Sequence, residues 1–451
     1  MNSPNHMIED IEGLPYKNVP EINFFYYPPV FLLDAECNSD ISNIVHFDDL
    51  LDGEIEYPIY ISIPYCRIRC NSCHCFKGML PPNKEQIEVL DRYVEALISQ
   101  IEAYGSTPRY KEAKFGAVYI GGGTGSTLFP EHLERIFNTL KLNFTIVDNA
   151  EITLEGSPDD FSTDYLLKAK ALGVTRLSIG YQSANDKILE TLNSPHRSDA
   201  GVRSMNSAMS VNFDTVNIDL LYNVPGQSFE DFQRDLELVI ETGSQSISPG
   251  DYVVWTGSRA EHLINNGKLP KQHNAEVIFE WYLYASKILN DAGYSEQVRG
   301  IFTKPDHRQK YIDLCCHGDI LSFGSGSYSF IGKHQLRNIV SVKQYEFNMN
   351  SGNALSADLI SNTATEKNLW ERFVVLNLFS SEITLYDFKK KFGLEIKDAF
   401  PEIINKLKKY GFIEVSYDCI RLTVLGKKWR RNVYYEFYGN EYVSDRIKVI
   451  L

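Results

Sequence analysis

The chain of 451 residues has no long uninterrupted run of apolar residues and no excess of basic ones. A membrane-spanning helix needs about 20 apolar residues in succession, so none is expected. Asp and Glu outnumber Lys and Arg by 59 to 45, and the formal net charge of −14 argues against bulk electrostatic binding of nucleic acid. Residues 1–20 lack the apolar core and basic leader of a secretion signal, so we expect a cytoplasmic protein.

Cysteine is also scarce, yet four of the eight cysteines lie within ten residues, at Cys66, Cys70, Cys73 and Cys75. The first three have the spacing Cys-x3-Cys-x2-Cys. Three thiolates can hold three irons of a 4Fe-4S cluster and leave the fourth iron open to an exogenous ligand. In a reducing cytoplasm such a group binds metal more often than it forms disulfides. The sequence therefore predicts a cluster with one open iron.

No second Cys-x2-Cys pair is present, and a closed structural zinc site normally takes four protein ligands in two pairs. Zinc is therefore the less favoured metal. Cys75 could close the cluster as a fourth ligand, but it would need a tight turn after Cys73, so we interpret it as a neighbour of the site. The remaining cysteines are interpreted as core residues; they are Cys37, Cys315, Cys316 and Cys419.

Short apolar runs alternate with helical periodicity through the first half of the chain, in about six βα repeats. Six repeats are too few to close an eight-stranded barrel, so an α/β fold with a partial (β/α)6 barrel and an open lateral mouth is predicted. The predicted strands are 60–63, 117–120, 151–155, 176–180, 215–221 and 246–252, and the predicted helices are 87–104, 165–172, 186–192, 200–209 and 229–241.

The length of the chain predicts two or three domains. We expect an N-terminal arm over residues 1–55, the barrel over 56–260, a barrel extension on the substrate side over 261–364 and a C-terminal domain over 365–451. Two helices and a β-hairpin in the last segment have the outline of a winged helix. Its many lysines are interpreted as the solvated face of an accessory domain in preference to a DNA-binding surface.

Polar residues follow the predicted strands where each one ends. Gly121-Gly122-Gly123-Thr124 comes directly after one strand, and its backbone can approach a ligand closely because no Cβ intervenes. Glu155, Gln182 and Asp219 lie at or just beyond the ends of the next three strands. Ligands bind at the carboxyl ends of parallel strands, so these residues are predicted to surround one barrel mouth. Carboxylates there suit ribose hydroxyls or ammonium groups.

These motifs resemble those of the radical SAM superfamily, and specifically the branch that contains oxygen-independent coproporphyrinogen III oxidases, a related heme chaperone and the class C methyltransferases. The resemblance is carried by the cysteine segment, the glycine run, Ser-Ile-Gly-Tyr-Gln up to Gln182, the run 219–227 and, more loosely, the tail 422–432. It implies reductive cleavage of S-adenosylmethionine at a 4Fe-4S cluster to a 5′-deoxyadenosyl radical, which abstracts hydrogen.

The resemblance also implies roles for individual residues. The cluster ligands are Cys66, Cys70 and Cys73; the contacts of a first S-adenosylmethionine are Tyr60, Gly122 and Glu155; and the contacts of a second are Gly123, Thr124, Gln182, Asp219 and Val253. Tyr60, Cys75 and Asp219 are the candidates for direct roles in catalysis.

Two positions depart from the pattern of that branch. Gly125 stands where a proline is usual after the glycine-threonine turn. Ser194 stands where an arginine is expected to meet the carboxylate of the second S-adenosylmethionine. Arg197 is the candidate to replace that arginine.

Three functions remain open from the sequence. The first is methylation, or another C–C bond formation, on a small heteroaromatic substrate. The second is coproporphyrinogen III oxidation, favoured by Cys75 and by the segment 23–29, although that segment lacks the arginine suited to propionates. The third is a non-catalytic heme chaperone, whose relatives usually lack the C-terminal extension. Expected partners are a small-molecule substrate and a flavodoxin- or ferredoxin-like electron donor, with no nucleic acid or membrane, for a monomeric protein.

Overall fold

The computed structural model describes residues 27, 39–45, 50–71, 73, 78–82, 84–316, 318–361 and 363–439. Their contacts divide them into two compact units. The larger unit holds the described residues from 39 to 273 together with Glu280–Ile360. The smaller unit holds Tyr27, Asn274–Phe279 and residues 361–439. The predicted barrel segment and nearly all of the predicted extension thus fall within one unit, and the finer division at residue 260 stays a prediction.

The strands up to residue 360 are β1 (Ser39–Asp40), β2 (Glu56–Ile63), β3 (Tyr65–Cys66), β4 (Gly78–Met79), β5 (Lys114–Gly122), β6 (Thr145–Gly156), β7 (Arg176–Gln182), β8 (Thr215–Tyr222), β9 (Ser246–Asp251), β10 (Ser295–Val298), β11 (Ile301–Thr303), β12 (Leu321–Phe323), β13 (Tyr328–Ile331), β14 (His334–Arg337), β15 (Ser356–Ala357) and β16 (Leu359–Ile360). The helices are α1 (Ser42–Val45), α2 (Glu85–Gly105), α3 (Pro130–Asn143), α4 (Thr163–Ala171), α5 (Asp186–Leu192), α6 (Ser198–Val211), α7 (Phe229–Glu241), α8 (Arg259–Asn265), α9 (Ala275–Asp291), α10 (Lys310–Cys315) and α11 (Val342–Asn350), with single 3-10 turns at Pro108–Tyr110, Gly125–Thr127 and Pro158–Asp160.

Six parallel strands form the barrel in the order β2-β5-β6-β7-β8-β9, and all six predicted strands lie in it, which confirms the partial barrel. The sheet continues beyond both ends of this set. β12 is parallel to β2 at one edge, and the β10–β11 hairpin is antiparallel to β9 at the other, giving nine strands in all. These edge strands are too short to show a period of two in the sequence.

Successive residues of the barrel strands face opposite sides of the sheet. Leu177 and Ile179 of β7 and Ile218 of β8 are fully buried, on the side that is covered by helices. The alternate residues Ser178 and Asn217 face the barrel interior, where they hydrogen-bond to each other across the two strands. The barrel interior is thus unusually polar for buried parallel strands, which is the first structural sign of a polar ligand.

The amino-terminal end of the barrel is covered by α10. The Glu151 carboxylate of β6 accepts hydrogen bonds from the backbone N–H groups of Lys310 (3.2 Å) and Tyr311 (3.1 Å). The Lys310 ammonium also pairs with the Glu56 carboxylate at the start of β2, 2.5 Å away. The buried Arg176 guanidinium lies 3.9 Å from the same Glu151 carboxylate. With this end covered, the polar interior opens at the carboxyl ends of the strands.

The smaller unit contains α12 (Glu366–Leu378), β17 (Glu382–Thr384), α13 (Leu385–Phe392), α14 (Ile396–Ala399), α15 (Pro401–Lys409), β18 (Ile413–Val415), β19 (Cys419–Leu422), α16 (Val424–Lys428) and α17 (Arg430–Glu436). Its three strands form an antiparallel sheet in the order β17-β19-β18. The predicted helices and hairpin are all present, which confirms the winged-helix-like α+β domain. Among the residues described, no helix is both long and apolar enough to cross a membrane.

Candidate functional site

The described residues from Cys66, at the end of β3, to Cys73 form the cysteine loop at the barrel mouth. Its backbone is tied to the end of α5: the Asn71 N–H donates to the Leu192 carbonyl (2.9 Å), and the Asn193 side-chain amide donates to the Arg69 carbonyl (2.8 Å). Within the loop the Cys73 N–H donates to the Cys70 carbonyl at 3.2 Å. These bonds to the end of α5 restrain the loop that carries the thiols, as a cluster requires.

Cys66, Cys70 and Cys73 are partly buried and free of disulfides. Burial, and secondarily the neighbouring thiols, raise the pKa of both Cys66 and Cys70 to about 11. The ionised form that binds iron therefore needs a metal charge to stabilise it. Across the described ranges no three Cys, His, Asp or Glu side chains are close enough to share a single metal ion. A closed structural zinc site takes four protein ligands, whereas three thiolates suffice for a 4Fe-4S cluster with one open iron.

The glycine run that ends β5 lies directly against the cysteine loop. The Gly123 N–H donates to the Ile63 carbonyl at 2.7 Å, and the Thr124 hydroxyl donates to the Cys66 sulfur at 3.4 Å. A Cβ on Gly123 would lie 3.0 Å from that sulfur and 2.7 Å from the Tyr65 carbonyl oxygen. Gly123 is therefore required for the close approach of β5 to the cysteine loop, which supports its predicted place in the site.

The space around Gly125 is too small for the proline that is usual at this position. A Cβ at this position would lie 2.8 Å from the carbonyl oxygens of both Glu155 and Ile120. The Gly125–Thr127 turn is buried, and at Gly125 it packs closely on the backbone of β6. A proline ring would require the turn to move away from the barrel.

Glu155 lies at the barrel mouth beside the glycine run. The Tyr119 hydroxyl donates to its Oε2 atom at 3.2 Å, and a Cβ on Gly121 would overlap the same oxygen. Burial, and then the negative charge of Asp219, raise the pKa of Glu155 to about 7. Two carboxylates that repel each other inside a protein form a site that favours a cationic ligand.

Tyr60 lies in the barrel interior below these carboxylates. Its ring stacks on Tyr119, with centroids 5.8 Å apart and an angle of 16° between the rings, and it also contacts Tyr311 of α10 at 6.2 Å. The three rings form a floor under the mouth. Tyr60 is thus brought next to the hydrogen-bond partner of Glu155, as expected if both contact one ligand.

The next two strands, β7 and β8, bring Gln182 and Asp219 to the mouth. The Asp219 carboxylate accepts hydrogen bonds from the Asn217 amide (2.7 Å) and the Ser178 hydroxyl (3.0 Å). Gln182 has a positive φ of 69°, and its amide nitrogen would lie only 3.0 Å from a Cβ on Gly180. Its side chain therefore folds back over the end of β7. Backbone strain of this kind is common at ligand sites.

Three predicted positions are not brought into this group by contacts among the described residues. Val253 is partly buried in the segment after β9. The Arg197 guanidinium is exposed and lies 3.8 Å from the Glu190 carboxylate on the helical surface. Cys75 lies outside the described residues, so its role stays a prediction, as does that of Arg197.

Ser194 is buried in a hydrogen-bonded chain of its own. The His196 Nε2 atom lies 2.9 Å from the Tyr181 carbonyl oxygen and must carry the proton, so Nδ1 accepts from the Ser194 hydroxyl at 3.0 Å. Burial lowers the pKa of His196, which keeps the ring neutral. The serine that replaces the expected arginine thus stabilises the local fold and supplies no cation.

Several polar residues of the site were not predicted from the sequence. Ser178, Asn217, Ser246 and Ser248 all line the barrel interior and are connected by hydrogen bonds. The available signal is a period of two: polar residues alternate with apolar ones in strands that are otherwise hydrophobic. This alternation predicts that Asn217 and Asp219 lie on the same face of β8.

Comparison with known proteins agrees with this architecture. Residues 60–239 match the model of the radical SAM superfamily. The chain is 24% identical over 385 residues to the heme chaperone HemW of Bacillus subtilis, covering 84% of this chain and 98% of that protein. It is 26% identical over 414 residues to the oxygen-independent coproporphyrinogen III oxidase of Salmonella typhimurium, covering 86% and 88%.

A third relative is the anaerobilin synthase of Escherichia coli O157:H7, 25% identical over 379 residues, covering 83% of this chain and 82% of that one. The crystal structure of coproporphyrinogen III oxidase (HemN) from Escherichia coli superposes with a TM-score of 0.72 at 24% identity, covering 85% of this chain and 90% of that one. The structural match establishes the shared fold. Together with the cysteine loop and barrel mouth, these similarities support the resemblance to the radical SAM superfamily and to its HemN-like branch.

Proposed function

We propose that this chain is an enzyme that cleaves S-adenosylmethionine reductively and uses the resulting radical on a tetrapyrrole or similar heteroaromatic substrate. One observation carries the proposal: the cysteine loop, the glycine run and the Glu155–Asp219 pair share one mouth of the barrel. Members of the superfamily use a 4Fe-4S cluster and S-adenosylmethionine. Bound here, the cluster would supply the electron that cleaves S-adenosylmethionine to a 5′-deoxyadenosyl radical.

The residues of the mouth fit that ligand by charge. S-adenosylmethionine carries an ammonium and a sulfonium, and Glu155 and Asp219 are two partly buried carboxylates. Among the described residues, Arg176 is the cation that acts on Asp219, from the amino-terminal side of the barrel. Ionised carboxylates make stronger hydrogen bonds than neutral acceptors. Cys66, Cys70 and Cys73 are assigned to the cluster, and Tyr60, Gly122 and Glu155 to the first S-adenosylmethionine.

The choice of substrate class rests on the names of the relatives. They are named for coproporphyrinogen, heme and anaerobilin, which are all tetrapyrroles. Coproporphyrinogen III oxidation is therefore the first reaction to test. None of these three names is that of a methyltransferase, so methylation, the first of the functions that the sequence leaves open, becomes the second candidate.

Methylation is kept as a candidate because of the Gln182–Asp219 side of the mouth. Gln182 is held in a strained conformation and Asp219 by two hydrogen bonds, which suits a second bound molecule. A second S-adenosylmethionine there could donate its methyl group. Ser194 is hydrogen-bonded to His196 and supplies no positive charge. The carboxylate of the second S-adenosylmethionine would therefore need another cation, and Arg197 stays the candidate.

Incubating the reduced, cluster-loaded protein with methyl-labelled S-adenosylmethionine and tetrapyrroles distinguishes the candidates. We expect release of 5′-deoxyadenosine together with a modified tetrapyrrole. Carbon dioxide released from coproporphyrinogen without label in the product indicates oxidation, and label in the product indicates methylation. Tight tetrapyrrole binding without any 5′-deoxyadenosine would contradict the proposal and favour a chaperone.

Binding of S-adenosylmethionine should weaken as the pH falls below 7. Because the pKa of Glu155 is about 7 in the free protein, this carboxyl is protonated at lower pH and must lose its proton to meet a cation. The dissociation constant should rise up to about tenfold per pH unit below 7. Calorimetric titrations between pH 5.5 and 8.5 measure this.

The matched control is Glu155→Gln, which keeps the shape of the side chain and cannot ionise. At pH 8 it should bind S-adenosylmethionine about 10- to 100-fold more weakly, the range expected for a lost charged hydrogen bond. Below pH 6 the two proteins should converge. If Glu155→Gln retains the full pH dependence of the unsubstituted protein, another group titrates and Glu155 is wrongly assigned.

A further inference from the structure

We propose that Asn217 is a positioning residue whose amide fixes the Asp219 carboxylate in the barrel mouth as a charged acceptor for a hydroxyl or ammonium group of the bound ligand. The two residues are separated by one position on β8 and therefore face the same side of the sheet. Asn217 is 4% exposed, whereas Asp219 is partly open to the barrel interior. This inference rests on the proposed function.

The Asn217 side chain uses its full hydrogen-bonding capacity. Its amide nitrogen donates to Asp219 Oδ1 at 2.7 Å and to the Ser178 hydroxyl at 2.9 Å. Its amide oxygen accepts from the hydroxyls of Ser246 at 2.7 Å and Ser248 at 2.8 Å. A primary amide has two donors and two acceptor positions, so all four are occupied.

This arrangement fixes the direction of the amide. The carboxylate of Asp219 can only accept, so the nitrogen of Asn217 must face it and the oxygen must face the two serines. The Ser178 hydroxyl receives one bond from Asn217 and donates its proton to Asp219 Oδ2 at 3.0 Å. Asn217 thus acts on both carboxylate oxygens, one directly and the other through Ser178.

The electrostatic consequence follows from the neighbours of Asp219. Burial raises its pKa, and the hydrogen bonds from Ser178 and Asn217, the charge of Arg176 and a hydrogen bond from Ser248 oppose that rise. The ionisable groups that act on this region from adjacent strands are Glu155 and Tyr119 on one side and Arg176 below. Without the Asn217 donor, the negative charge of Glu155 and burial would favour protonated Asp219.

The test is equilibrium binding of S-adenosylmethionine to the cluster-loaded protein by calorimetry. We expect Asn217→Leu, which has a similar shape and no donor, to raise the dissociation constant at least about tenfold at pH 6.5. The ratio of the dissociation constant of the variant to that of the unsubstituted protein should decrease toward pH 9, where Asp219 is ionised even without the hydrogen bond from Asn217. Glu155 titrates in both proteins, so a pH-dependent ratio reports the change at Asp219 together with its effect on the coupled Glu155.

Asn217→Thr is the conservative variant, since its hydroxyl keeps one donor, and its ratio should lie between those of Asn217→Leu and the unsubstituted protein. It also keeps the test valid if Asn217→Leu folds poorly, because the three serine hydroxyls lose fewer partners. Asn338→Leu is the matched control: Asn338 is 3% exposed, and its amide donates to Ser327 and the Ser322 carbonyl, neither of which is an assigned site residue. It should lower thermal stability without a pH-dependent change in binding.

The outcomes separate the two claims. A ratio that does not vary with pH, or that matches Asn338→Leu, would show that Asn217 has only a structural role and would overturn this inference alone. Absence of S-adenosylmethionine binding by the unsubstituted, cluster-loaded protein would overturn the proposed function and this inference with it.

Discussion

Replacing Cys66, Cys70 or Cys73 with alanine should reduce bound iron from about four per chain to a small fraction of that after anaerobic reconstitution. Each thiolate is assigned to a different iron, and alanine offers no donor in its place. Release of 5′-deoxyadenosine should fall with the iron, since the electron for cleavage passes through the cluster. Iron and sulfide analysis and the visible absorption of the cluster measure the first effect, and product chromatography measures the second.

Two controls sharpen this prediction. Cys315→Ala removes a fully buried cysteine of the same unit, far from the loop in sequence, and should leave the iron content unchanged. Cys75→Ala should also keep the cluster, because Cys75 is interpreted as a neighbour. Loss of iron on Cys75→Ala would contradict the three-ligand assignment and make the cluster a closed one.

The barrel could be predicted from the sequence because its strands repeat. The six parallel strands are short segments that carry apolar or β-branched residues, and helix or turn signals separate one strand from the next. The same repetition predicts that Glu155, Gln182 and Asp219 lie at one mouth. Their neighbourhood follows from strand order alone, since the carboxyl ends of adjacent parallel strands lie at one edge.

The parts that could not be predicted depend on contacts between distant segments. The α10 helix covers the barrel through backbone N–H groups that bind Glu151, about 160 residues earlier in the chain, and no local pattern reveals that pairing. The ionic state of Glu155 likewise depends on Asp219, two strands away. Ser194 shows the same limit: its partner His196 is near in sequence, but the pair is oriented by the Tyr181 carbonyl.

Gly123→Ala should disrupt the site almost as strongly as loss of a cysteine, although it removes no ligand. The added Cβ would lie 3.0 Å from the Cys66 sulfur and 2.7 Å from the Tyr65 carbonyl oxygen, so the cysteine loop or β5 must shift. Overpacking of this kind costs about 1–3 kcal/mol, and here the displaced atom is an assigned cluster ligand. We expect reconstituted iron to fall severalfold and S-adenosylmethionine binding to fall at least about tenfold.

Gly250→Ala is the matched control for that effect. Gly250 lies on β9 at the same mouth, and neither glycine has a positive φ, so the two substitutions differ chiefly in the space available. A Cβ on Gly250 would lie 3.7 Å from its nearest neighbour, an ordinary contact distance. This variant should therefore retain its iron and its affinity for S-adenosylmethionine. If Gly123→Ala binds both as well as Gly250→Ala does, β5 and the cysteine loop are not in the close contact on which the assignment of the mouth depends.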